Sequence, residues 1–192
     1  MRPFLHKPLW MLWIAGTGFS ALALAQTAPI DPALIAKANV GDVAAQIAVG
    51  DAYAQAPGRA QDCKLAADWY AKAAHQDNIA AQLHLATLYR DGCKTLPRDM
   101  AQAAVWYQKA AAQGNADAQA TLGSLYSMGQ GVARDYNEAY FWLDLAAHTP
   151  GAKQPQYAAN RQLIGTHLTT DEVEAAKDRV ESWRAAHQRS QK

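Results

Sequence analysis

Two cysteines, Cys63 and Cys93, are the first residues of this 192-residue chain to weigh for chemistry. A thiol pair can close a disulfide, and a thiolate can bind zinc or attack a substrate. A zinc site needs more ligands, and His75, His84, His148, His167 and His187 show no metal-ligand spacing. Serine chemistry is also poorly supported. Penicillin-recognising enzymes need Ser-x-x-Lys, because the lysine must reach the hydroxyl one helical turn away. The third residue after Ser124, Ser127 and Ser182 is Ser127, Gln130 and Ala185, and Ser190 is followed only by Gln191 and Lys192. The sequence has no Gly-x-Ser-x-Gly, no His-Glu-x-x-His and no phosphate-binding glycine loop. Gly129-Gln130-Gly131 is a lone Gly-x-Gly that turn chemistry accounts for. A pair of acids brought together by folding stays open. The expectation is no catalytic residue, no metal and no cofactor, with the cysteines either bridged or free.

Composition sets the frame in which such residues sit. Alanine supplies 43 residues, glycine 12 and proline 8, and the mean hydropathy is -0.27. Alanine is the best helix former, so the fold class expected is all-α. The formal net charge of +1 argues against nucleic acid as partner.

The first residues read as an address. Arg2, His6 and Lys7 precede an apolar run from Pro8 to Ala25, which ends Ala23-Leu24-Ala25. A basic start, an apolar stretch and a small-x-small site describe a secretory signal peptide, residues 1–25, cleaved after Ala25. The alternative is a retained transmembrane anchor, for which the run is near the lower length limit. Cleavage predicts a periplasmic or secreted protein, one domain over 26–192, near charge -1, with no stable membrane insertion. In an oxidising compartment an even pair of cysteines suggests a disulfide.

The remainder repeats itself. Ala-Gln recurs at 45–46, 81–82 and 118–119, and tyrosine at 53, 89 and 126. Asp62/Trp69, Asp99/Trp106 and Asp135/Trp142 recur with the same internal spacing. Such a period marks stacked helix pairs. Asp99 with Gln102, and Asp135 with Glu138, predict capped starts of second helices. Gly41, Asp77 and Gly114 share the turn register, where a left-handed conformation is wanted and Asp is the poorest choice. These signals predict a helix at 31–40, repeats at about 42–77, 78–114 and 115–150, and a capping pair over 154–187 closed in its middle by Gly165. Trp69, Trp106 and Trp142 read as repeated core residues. Tyr70 and Tyr107, about 100° further round the helix, read as the better surface candidates.

Leu122-Gly123, Tyr126, Gly129, Gly131-Val132, Asp135, Glu138-Ala139 and Trp142 together resemble the Sel-one-like repeat, a cousin of the tetratricopeptide repeat. The second unit keeps Tyr89, Gly92, Asp99, Trp106-Tyr107 and Gly114, but carries Cys93-Lys94-Thr95-Leu96-Pro97 in its loop. The resemblance covers about residues 42 to 187. It implies an α-solenoid of antiparallel helix pairs in a tetratricopeptide-like, right-handed array. It also implies a scaffold that binds proteins or peptides. Some cysteine-rich relatives are linked to β-lactam binding or hydrolysis, but they carry a cysteine pair in repeat after repeat. A weak β-lactam-active enzyme and a peptidoglycan or envelope-structural binder are the alternatives.

In helix-pair solenoids the first helix of each unit usually lines the groove. His84, Thr87 and Asp91 share one face of the second unit. Asp51 and Gln55 match them in the first, and Thr121, Ser124 and Met128 in the third. These residues are the expected contact strip for a protein or peptide partner of a monomer. Cys63 falls at N1 of a second helix and Cys93 in the next unit's loop, so a bridge would staple neighbouring repeats. Closing that loop is worth about 3.5 kcal/mol in the chain-entropy picture.

Overall fold

The computed structural model describes residues 29–55, 62–151 and 153–190. The expected signal peptide, and its alternative as an anchor, lie outside the described residues. Among those described, the chain forms nine helices and no named strand. They are α1 (Pro32–Asn39), α2 (Val43–Ala54), α3 (Cys63–Ala74), α4 (Ile79–Asp91) and α5 (Met100–Ala112). Then come α6 (Ala116–Met128), α7 (Tyr136–Ala147), α8 (Gln154–Gly165) and α9 (Thr170–Ser190). None of these is long and apolar enough to cross a membrane.

Local chemistry starts and stops these helices. Asp31, Asp42, Asp62, Asn78, Asp99, Asn115 and Asp135 each accept a backbone N–H of the first turn. Each such cap contributes about 1 kcal/mol. Thr169 and Glu172 exchange bonds in both directions, a complete capping box at the start of α9. Between pairs the turns use Gly41 (φ 97°), Asp77 (φ 59°) and Gly114 (φ 88°). Asp77 is the one non-glycine residue at positive φ among those described.

The helices stack as an α-solenoid, each from α1 to α7 packing on the next in sequence. Small residues set the approach. Gly50 faces Tyr70 and Gly123 faces Leu143, and a Cβ on either would lie 2.6–2.7 Å from that ring or side chain. Ala73, Ala74, Ala110, Ala111 and Ala146 are fully buried beside the tryptophans. The repeated Ala-Gln marker has a structural role as well. Gln46, Gln82 and Gln119 are buried, and each donates to the carbonyl closing the preceding helix, Ala38, Ala74 and Ala111, at 3.1, 3.3 and 3.1 Å. Gln76 donates to Gln46 Oε1, and Gln113 to Gln82 Oε1, both at 2.9 Å. Gln119 Oε1 receives no such bond, because Thr149 stands where a third glutamine would be.

Loops on one edge hold successive pairs together. Cys63 and Cys93 form a disulfide with Cα atoms 6.4 Å apart, tying the start of α3 to the α4–α5 loop. One repeat later, Gly131 (φ 73°) in the α6–α7 loop sits against the start of α5. A Cβ there would lie 2.0 Å from the Met100 carbonyl oxygen.

In the C-terminal region the two helices do not pack chiefly on each other. Both α8 and α9 pack on α7, and α9 makes few close contacts with α8. The reason lies in the apolar stripe of α9, where Val180 and Trp183 join the core that holds Phe141 and Trp142. Arg179 adds a 2.7 Å bond to Glu138. Gly165 belongs to α8 itself, and it packs against Tyr140 instead of adopting a left-handed terminal turn.

Candidate functional site

The first helices of successive pairs, α2, α4, α6 and then α8, leave a run of open hollows between them. The hollow between α2 and α4 encloses about 430 Å³ and is lined by Gln55, Tyr70, Leu83, His84 and Thr87. The one between α4 and α6 encloses about 420 Å³ and includes Asp91, Thr121, Ser124 and Met128. A smaller one, about 240 Å³, follows between α6 and α8, where Thr121 and Ser124 meet Asp117, Lys153 and Tyr157. Every residue of the expected strip lines one of the first two hollows, save Asp51. That carboxylate instead accepts the Tyr70 hydroxyl at 2.6 Å.

The two tyrosines reverse the sequence expectation. Tyr70 and Tyr107 are 1% and 3% exposed, less than Trp106 and Trp142 at 7% each, and Trp69 is only half-buried. The second helices are packed from two sides, so a face turned 100° from the tryptophans meets the neighbouring helix instead of solvent. Tyr70 lines the first hollow, and Tyr107 lines none of the three. The Tyr70 ring stacks on His84 with centroids 4.9 Å apart. The Tyr107 hydroxyl accepts Arg90 Nη1 at 3.1 Å and lies 3.4 Å from Thr87 Oγ1. Burial first, then Asp51, holds the Tyr70 phenol protonated well above the usual tyrosine range. Lys72 and Lys109 cover the Trp69 and Trp106 rings at 3.5 and 4.3 Å, and neither pair lines the hollows.

The polar groups of the strip are largely satisfied by the protein. Arg90 grips Asp91 through Nε and Nη2 at 2.7 and 3.0 Å and holds its carboxyl below the usual range. Lys153 donates to Asp117 at 2.8 Å, and the Tyr157 hydroxyl donates to it as well, which lowers the Asp117 carboxyl. Burial, with Asp117, pushes the Tyr157 hydroxyl up to about 12. Thr121 and Ser124 donate to carbonyls of their own helix, at 2.8 and 3.0 Å. Their oxygens keep lone pairs for a ligand, and Ser124 has no base to activate it among these bonds. Among the described residues, no group of three or more His, Cys, Asp and Glu is placed to hold a metal. The arrangement suits recognition of an extended chain.

Sequence reasoning missed Arg90, Arg98 and Lys153. Ala54 and Ser127 stand at the matching register of Arg90, so no repeat signal marks it. The tyrosines did leave a signal, in the small residues Gly50 and Ala86 opposite them.

Comparison with known proteins follows the same repeat boundaries. The Sel1 repeat pattern matches residues 43–78, 79–115 and 116–148. The chain is similar to c5321, a protective antigen of uropathogenic Escherichia coli strains that displays an SLR fold. Identity is 33% and the TM-score 0.66, over 78% of this chain and 31% of that one. It is also similar to a Sel1 repeat protein from Oxalobacter formigenes, with 32% identity and a TM-score of 0.60, over 68% of this chain and 52% of that one. The match thus spans a third to half of those proteins. No curated protein matches the chain in sequence. Three matched units cover more than half of the sequence and coincide with three stacked helix pairs, so this chain belongs to the Sel1 repeat family.

Proposed function

We propose that this chain is a non-catalytic scaffold of the bacterial cell envelope whose groove holds a segment of another protein. Sel1 repeats generally mediate protein–protein interaction. The observation that carries the reading is the run of hollows along α2, α4, α6 and α8, of which the second and third share Thr121 and Ser124. It is open, mixed in polarity and one helix pair per hollow, the form that takes an extended peptide side chain by side chain. The envelope assignment is supported by the leader pattern of residues 1–25 and by the Cys63–Cys93 bond, since such bonds persist in oxidising compartments.

The test is site-specific photo-crosslinking in the native envelope. A crosslinker at Thr87 or Thr121 is expected to trap a protein, and one at exposed Lys64 on α3 is not. Equal adducts at all three positions refute the groove. With a partner in hand, joint replacement of His84, Asp91 and Ser124 by alanine lowers its affinity, and unchanged affinity removes the assignment. Nitrocefin turnover by the purified protein would favour the β-lactam reading, and retention on cell-wall material the peptidoglycan one.

A further inference from the structure

The hollow between α4 and α6 carries an imbalance of charge. Its lining holds two guanidiniums, Arg90 and Arg98, and one carboxylate, Asp91. Arg90 makes two bonds to Asp91, which offsets its charge, and one to the Tyr107 hydroxyl. Arg98 is exposed and acts on Asp91 only through space. Among the described residues no carboxylate lies within ion-pairing distance of it. The hydroxyls of Thr121 and Ser124 give their protons to their own helix, so they supply no donor to an anion. With the Arg90 charge offset by Asp91, Arg98 is the cation left in the hollow for an acidic group, and the Gln130 side chain also stands in the lining. Beside it the walls are apolar, formed by Met100, Leu125 and the 55% exposed Met128.

The loop that carries Arg98 is held in place before any partner arrives. Cys93 is bonded to Cys63 on α3. Cys93 and Leu96 exchange backbone bonds of 2.6 and 3.1 Å, and Asp99 N–H donates to the Tyr89 carbonyl at 2.8 Å. Gly92 (φ 65°) folds the chain back so tightly that a Cβ would lie 2.6 Å from the Arg98 nitrogen. A cation presented on a fixed loop loses less entropy on pairing than one on a floppy loop.

We propose that this hollow takes an acidic side chain from within a partner peptide, with Arg98 as its counter-ion and Met100, Leu125 and Met128 receiving the apolar residue beside it. The inference rests on the groove reading above. An internal residue is favoured over a chain terminus because Thr121 and Ser124 also line the next hollow, so the groove continues past the site.

The methionines make the test local. Met1 and Met11 lie in the leader, and the other two in the chain, Met100 and Met128, both line this hollow. With the methionine methyls carbon-13 labelled, the protein is titrated with acetylated, amidated Ala-Leu-Glu-Leu-Ala and with the same peptide bearing Gln or Lys at its centre. A further Gln peptide keeps a free terminal carboxylate. The Glu peptide is expected to move both methyl signals and to bind at least about tenfold more tightly than its Gln counterpart. Arg98→Glu erases that preference, Arg98→Gln does so without reversing the charge, and Arg98→Lys keeps most of it. Arg98 is exposed, so these variants keep the fold. Added salt shrinks the preference, as screening requires. Equal binding of the Glu and Gln peptides, with both methyls moving, overturns the acidic preference and leaves the groove standing. Tighter binding of the free-terminus Gln peptide than of the amidated Glu peptide overturns the internal side chain. Methyl signals that no peptide moves overturn both the inference and the groove.

Discussion

The joint between the first and second repeats and the joint between the second and third solve one problem by different chemistry. In both, a loop of the later pair must lie on the start of the earlier pair's second helix. The first joint does this with a covalent bond, Cys63 to Cys93. The second does it with absence of bulk, Gly131 against the Met100 carbonyl. The turns differ too. Asp77 occupies a left-handed conformation at the first joint, and Gly114 occupies its counterpart at the second. The buried glutamine bond is common to both, from Gln82 to Ala74 and from Gln119 to Ala111. A shared polar clamp thus fixes register, while the edge contact is free to be a bond or a gap. The poorer turn and the covalently closed edge thus fall at the same joint.

The contrast can be broken from either side. Replacing both cysteines by serine is expected to cost about 3.5 kcal/mol by the loop-closure argument. Urea denaturation with and without reductant checks it, and no change on reduction shows that the second joint's packing mode suffices for the first. Gly131→Ala is expected to cost about 3 kcal/mol, since both the left-handed backbone and the carbonyl contact oppose a methyl. Gly151→Ala, in open space, is the control. A small loss at Gly131 would show that the α6–α7 loop can move off α5 cheaply.

Smaller effects sharpen the shared part. Gln82→Leu removes one bond to the Ala74 carbonyl, which keeps the Asp77 N–H, and leaves the Gln113 amide without its acceptor, at about 2 kcal/mol, while Gln119→Leu removes only one bond to the Ala111 carbonyl, which keeps the Gly114 N–H, at about 1 kcal/mol. Equal losses in thermal melts would show that the glutamine-to-glutamine bond contributes nothing. Asp77→Gly relieves the left-handed strain and gains up to about 1 kcal/mol, reduced by the extra freedom of glycine when unfolded. The same gain in the reduced protein would mean that turn and bond act independently.

Much of this architecture is legible in the residues. Aspartates before each second helix, and the tryptophan–alanine register, announce helix pairs because capping and close packing are local requirements. The burial of Tyr70 and Tyr107 is not local. It depends on a helix twenty residues earlier presenting Gly50 or Ala86, so it emerges only once pairs are stacked. The course of α9 is hidden for a related reason. Its period shows that Val180 and Trp183 need a neighbour, and two candidate neighbours, α7 and α8, lie within reach. In the groove, spacing alone puts His84, Thr87 and Asp91 on one face. It says nothing of Asp51 turning to Tyr70, or of Arg98 arriving from a loop that no helical period describes.

The glutamine that closes each joint also defines what may be added or removed. Gln46 and Gln82 each read only a carbonyl at the end of the helix before and an amide from the turn after the pair. Neither partner depends on which repeat supplies it. A whole unit can therefore be excised or inserted at these positions and the cut ends still meet flush, donor to acceptor. Gln119, with its open oxygen, is the point at which such counting stops in this chain. The length of the groove is then an integer variable as far as this clamp is concerned, and only the edge contact of each joint, a bond at Cys63–Cys93 and a gap at Gly131, has to be matched anew.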